Sequence, residues 1–132
     1  MKKILFAFLL LFASLHAELI NEYPSQKILA QHIPVVDIRT PGEWKETGIL
    51  KGAIPITFFD EKGNYDVRAF LKELNAKVDT KKQFALICRT GSRTSMVSGF
   101  LANKLNYNVI NLKGGMLYAI GKKLPIVPYN QK

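Results

Sequence analysis

Four short apolar runs punctuate the chain, at residues 35–38, 53–58, 84–87 and 109–112. All but the second, which holds Pro55 and Thr57, are nearly continuous rather than alternating, the pattern of strands covered on both faces. Between the runs the apolar period changes. Val67, Phe70, Leu71 and Leu74 recur at three and four residues behind Asp66, which predicts an amphipathic helix capped by that aspartate. Met96, Val97, Phe100, Leu101 and Leu105 make a second helical stripe over about 94–105, with Asn106 as its stop. A short helix is expected over 25–31, with Ser25 as its cap. Thr40-Pro41-Gly42-Glu43 places a cap, a first-turn proline and a third-position glutamate directly after the first strong strand, a capping box with Trp44 as apolar anchor. Strands alternating with helices predict an α/β fold with a mainly parallel sheet covered on both faces. Residues 126–132 read as a tail.

The amino terminus follows a different pattern. Met1-Lys2-Lys3 is a short basic start, residues 4–12 are apolar, and small or polar residues lead to Ala17. This is the layout of a secretory signal peptide over 1–17, and the apolar run is shorter than the ~18–20 residues that span a bilayer. Cleavage after Ala17 predicts a periplasmic or otherwise exported protein with one domain over 18–132, a size that can bury a real core without disulfides. Membrane attachment is expected only if the segment stays uncleaved. Cleavage removes two lysines and no acids, so the net charge falls from +9 to +7. A positive field of this size speeds encounter with small anions. Its lysines, in pairs such as Lys81-Lys82 and Lys122-Lys123, lack the aromatic interleaving of a single-strand binding surface, so no nucleic-acid partner is expected.

Charge changes the picture most at the only cysteine, Cys88. Exported thiols normally pair, and this one has no intramolecular partner, so it is either an inert core residue or kept for its reactivity. Its surroundings favour reactivity. Cys88 follows the apolar strand 84–87, at a strand's carboxyl end where ligands bind in open α/β sheets, and a helix is expected from Thr94. The loop Cys88-Arg89-Thr90-Gly91-Ser92-Arg93 can turn its amides toward one centre, with Gly91 supplying backbone freedom. The helix amino terminus and the guanidinium groups of Arg89 and Arg93 favour the thiolate. A Cys-His pair is poorly served, since His32 is the only histidine left after cleavage. One cysteine and one histidine cannot build a closed zinc site, so neither a metal nor a cofactor is expected.

These residues form part of a longer ordered set, through which the chain resembles the rhodanese family. The set comprises Val35-Val36-Asp37-Ile38-Arg39, then Glu43-Trp44, Gly48, Gly52-Ala53 and Ile54, then the Cys88 to Arg93 loop with Thr94. Asn111-Leu112-Lys113-Gly114-Gly115, Tyr118, Gly121 and Leu124-Pro125 follow. The resemblance covers roughly residues 19 to 126. It implies about five mainly parallel strands flanked by helices, and a sulfurtransferase whose catalytic Cys88 carries sulfur as a persulfide. Arg89, Thr90, Gly91, Ser92, Arg93 and Thr94 would bind the substrate, a small anionic donor such as thiosulfate or a polysulfide. A thiol or cyanide would accept the sulfur. The alternative is a persulfide carrier or sulfide-binding module serving a protein partner. Phosphatases of similar architecture place five residues between cysteine and arginine; four stand here, a ring better sized for one sulfur. Asp37 and Arg39 read as a structural pair, with Glu43 joining them, while Gly114 and Gly115 permit a tight turn beside the loop. Departures from the family pattern are Ile49 for a frequent histidine, Lys51 for a common proline and Tyr118 for a frequent tryptophan.

Overall fold

The computed structural model describes residues 17–130. The expected signal segment, apart from Ala17, therefore lies outside the described residues, as does the end of the expected tail. Along the described chain run β1 (Leu19–Glu22), α1 (Gln26–Ala30), β2 (Val35–Asp37), α2 (Pro41–Thr47), β3 (Ile49–Leu50) and β4 (Ile54–Pro55). After these come α3 (Val67–Lys77), β5 (Phe84–Ile87), α4 (Ser92–Leu105), β6 (Val109–Leu112), α5 (Gly115–Gly121) and β7 (Ile126–Val127).

The central sheet has the order β1-β6-β5-β2-β4, and every pairing in it is parallel. All four residues of β5 and of β6 are buried, which is why these strands read as continuous apolar runs. Alternation divides each strand between two cores. Phe84, Leu86 and Cys88 face a cluster with Phe70 and Leu74 of α3 and Val97 and Leu101 of α4. Ala85 and Ile87 face the opposite cluster, with Ile28 of α1 and Met116 and Ala119 of α5.

Local chemistry starts the helices as expected at three places. The Ser25 hydroxyl accepts from the Ile28 amide at 3.2 Å, and Asp66 accepts from the Ala69 amide at 3.1 Å. Thr40 and Glu43 close their reciprocal capping box. Asn106 ends α4 in the left-handed conformation.

Three expectations change, and one strand is new. Of residues 53–58 only Ile54–Pro55 is a named strand, although Ile56 and Phe58 still donate to the Asp37 and Ile38 carbonyls. β1 joins the sheet edge beside β6. The expected tail is tied down, since Ile126–Val127 pairs antiparallel with Ile49–Leu50 and Tyr129 packs on Trp44 at 5.2 Å. Finally, α4 starts at Ser92 rather than Thr94, because the left-handed Gly91 already turns the chain into the helix.

Parallel pairing puts the ends of β2, β5 and β6 on one edge. From β2 the chain moves outward to β4, while from β5 it moves the other way to β6. The loops after β2 and β5 therefore part, leaving a crevice at the topological switch point. Cys88 heads the second loop.

Candidate functional site

The cysteine side chain is fully buried, yet its sulfur is not surrounded by hydrocarbon alone. The Gly91 amide donates to Cys88 Sγ at 3.1 Å, and Thr94 Oγ1 lies 3.5 Å from it. The Thr94 hydroxyl also reaches the Gly91 carbonyl at 3.3 Å, which fixes its position beneath the loop. Because α4 begins at Ser92, the loop itself comprises only residues 88–91, and Ser92, Arg93 and Thr94 form the first turn of the helix.

What fixes the loop backbone is the start of α5. Its Met116 and Leu117 amides donate to the Cys88 and Arg89 carbonyls at 2.8 and 3.1 Å, holding those oxygens on the far side of the loop. Gly115 permits this approach: at φ 59° its absent Cβ would collide with the Cys88 carbonyl oxygen and stand 2.5 Å from that of Arg89. At Gly91 a Cβ would come 3.1 Å from the Gly114 amide nitrogen, at a φ of 98°. Gly114 and Gly115 thus do more than turn the chain. Gly114 caps α5 and Gly115 is its first residue.

The arginines separate into three settings. Arg39 is 1% exposed, and its fork is saturated by Asp37, by Thr47 Oγ1 at 2.8 Å and by the Gly48 carbonyl at 2.9 Å. This is the expected structural pair, at the end of β2, but Glu43 takes no part in it. Glu43 instead grips Arg93 in a two-pronged ion pair at 2.7 and 2.8 Å, across 50 residues of sequence. Hydrogen bonding from Arg93 holds the Glu43 carboxyl below its ordinary 4.5, against the opposing effect of burial. The same bonds raise Arg93 further above its ordinary range; burial opposes this, and the charges of Glu43, Cys88 and Asp37 add to it. Arg89 is exposed and, among the described residues, makes no ion pair. It borders a recess of ≈ 120 Å³ with Glu43, Glu46 and Met116. On the other side of the loop, Thr90, Gly91 and Lys113 border a shallower recess of ≈ 280 Å³. Among the described residues no group of three or more His, Cys, Asp or Glu side chains is placed to hold a metal.

A family model for the rhodanese-like domain matches residues 16–118. The chain belongs to the rhodanese-like domain family. That family covers sulfurtransferases and sulfur-binding modules, and the rhodanese-like chain described here falls within that range. It is 34% identical over 91 residues to the uncharacterized protein RP600 of Rickettsia prowazekii, covering 67% of this chain and 72% of that one. Among solved structures it resembles Rv0390 from M. tuberculosis, with TM-score 0.67 and 15% identity, over 85% of this chain and 100% of the other. It also resembles a rhodanese-related protein from Thermoplasma volcanium, with TM-score 0.55 and 24% identity, over 78% and 91% of the two chains. At these identities the structural likenesses establish the rhodanese-like fold.

Sequence reasoning named Cys88 and the residues after it as candidates. It missed the Glu43–Arg93 latch and the grip of α5 on the loop carbonyls. The first had a signal in the capping-box acid, which reads in sequence as a partner of Asp37 and Arg39 instead; the second, made by backbone atoms, was signalled only by Gly114-Gly115.

Proposed function

We propose that this protein is a sulfurtransferase that moves sulfane sulfur through a persulfide on Cys88. The observation that carries the reading is the Gly91 amide 3.1 Å from Sγ, with the Thr94 hydroxyl 3.5 Å from it. Such a cradle stabilises negative charge on sulfur at the start of a helix. With thiosulfate as donor, the Cys88 thiolate attacks the outer sulfur, a new S–S bond forms, and the bond to the sulfonate breaks with its electron pair leaving on sulfite. Cyanide or a thiol then takes the outer sulfur and returns Cys88 to the thiolate, so one difficult transfer becomes two easier ones.

Arg89 is the cation that meets the donor anion. Arg93 and Arg39 have their forks filled by Glu43 and Asp37, whereas Arg89 stands exposed above the recess. The position of Cys88 favours delivery at short range, since only the added sulfur can project from so deep a seat. A second reading, a persulfide carrier serving a protein partner, is favoured by an apolar groove beside α4.

Export is part of the proposal. Glu18 donates its amide to Asn108 and accepts at its carbonyl from the Val109 amide, and β1 begins at Leu19, so cleavage after Ala17 leaves the sheet intact. Edman sequencing of the processed protein should begin at Glu18.

Incubating residues 18–132 with thiosulfate and recording the intact mass tests the chemistry. Gain of one sulfur atom that is absent from Cys88→Ser is the expected result, and no gain at any donor concentration rejects it. Rapid thiocyanate release on adding cyanide marks an enzyme; slow release from a fully loaded protein marks the carrier.

A further inference from the structure

The outer face of α4 carries an apolar groove that the sulfur chemistry does not use. Phe58, Phe59, Tyr65 and Val67 line one side, Met96 and Phe100 the other, with Val97 also in its wall, around a volume of ≈ 260 Å³. Met96 is 67% exposed and Tyr65 63%, the two most exposed large apolar side chains among the described residues. The groove is held open by its own walls. Phe58 stacks on Tyr65 at 5.6 Å and meets Phe70 edge-on at 4.8 Å, while Phe59 and Tyr65 pair through their backbones.

A second recess of ≈ 350 Å³ adjoins it, sharing Phe58 and Tyr65. Asp60, Asp66 and Glu73 line this recess with no lysine or arginine in its wall; Glu73 pairs with Lys77 at 2.7 Å, which leaves Asp60 and Asp66 as its uncompensated acids. On a chain of net charge +9 this is a local reversal of sign. Such a rim repels phosphate backbones and anionic lipid, and attracts a cationic segment. An apolar pocket beside an opposite charge is the usual composition of a protein docking site, in which a large side chain anchors and charges set the register. Two residues of its wall, Phe58 and Val97, belong to the same buried cluster as Cys88.

We propose that this groove seats the protein that accepts sulfur from Cys88, through a segment that places a large apolar side chain between Met96 and Tyr65 and lysine or arginine against Asp60, Asp66 and Glu73. The inference rests on the proposed function and names the partner's chemistry. In the transfer, the partner's thiolate attacks the outer sulfur of the protonated Cys88 persulfide. The S–S bond to Cys88 breaks, Cys88 leaves as thiolate, and the partner holds the persulfide, with no oxidant or reductant consumed.

The test uses residues 18–132 carrying Cys88→Ser, so that binding is read apart from sulfur chemistry, and three fluorescein-labelled peptides. One has phenylalanine flanked by lysines, one has glutamates in place of the lysines, and one has alanine in place of the phenylalanine. Fluorescence anisotropy should show the first binding at least fivefold tighter than either other. Met96→Ala and Glu73→Lys, both at exposed positions that leave the core untouched, should remove the preference over the alanine peptide and over the glutamate peptide respectively. Equal binding of the three peptides, or preference unchanged in both variants, overturns the inference. Normal loading of Cys88 by thiosulfate with no peptide preference leaves the proposed function standing and rejects the groove. Failure to load with the preference intact rejects the proposed function and leaves the docking surface.

Discussion

Replacing Glu43 by glutamine isolates the charge of the latch between α2 and α4. Glutamine keeps an oxygen for the capping box, because Glu and Gln serve that position alike. What is lost is the two-pronged ion pair to Arg93, whose partners are about a quarter exposed, at 25% and 24%. Its contribution falls between the ~0.2–1 kcal/mol of exposed pairs and the ~3–5 kcal/mol lost on breaking buried ones, so roughly 1–2 kcal/mol is expected. At about 4 °C per kcal/mol for a domain of this size, the melting temperature should fall by about 4–8 °C at pH 7. The pH dependence is fixed by sign. The folded carboxyl titrates below its ordinary 4.5, so the unfolded chain takes up the proton first. The latch therefore stabilises fully above 4.5, and its contribution disappears as pH falls through the lower folded value. Urea denaturation of both proteins from pH 7 down to about pH 3 checks this, because the gap between them should close at the acid end. A gap that stays constant across the range would refute the argument that an ionised Glu43 holds the first-turn arginine of α4.

Arg39→Ala leaves the fully buried Asp37 carboxylate without its guanidinium, and about 3–5 kcal/mol of stability should disappear in a urea titration; a loss below ~1 kcal/mol would contradict the buried pair. Gly115→Ala combines a left-handed residue with overlap onto the loop carbonyls, for about 2–4 kcal/mol in total, and should abolish sulfur loading. Gly52→Ala, at a φ of 83° with nothing within 4 Å of its Cβ, is the control and should cost only about 1–2 kcal/mol with loading retained. Arg89→Gln should lower kcat/KM for thiosulfate by roughly 10- to 100-fold, the worth of one charge-assisted hydrogen bond, with an unchanged melting curve. An equal loss with a neutral persulfide donor would show that Arg89 acts otherwise.

The parts of the fold legible in the sequence are those whose signal is local. β5 and β6 announce themselves because both faces are covered, and α2 and α3 because their capping side chains stand in the chain itself. β1 and β7 escape because each offers only two apolar residues and takes its stability from a partner far along the chain. The start of α4 was misplaced for a related reason: the cap is a glycine conformation, with no side-chain bond to read. At the site, the cysteine, its glycine and its two arginines were visible as a motif. The division of labour between Arg89 and Arg93 was not, since it depends on folding bringing Glu43 within reach of Arg93 alone.

The edge position of β1 bears on the order in which the chain folds. Asn21 pairs with Asn111 at a sequence separation of 90, and the whole of β1 aligns with β6. A growing chain therefore holds residues 19–22 without a partner until nearly everything else has been made. Closing so long a loop is slow compared with forming helices or neighbouring strands. A polypeptide that completes its sheet last at its own beginning cannot lock its native sheet until synthesis is nearly finished.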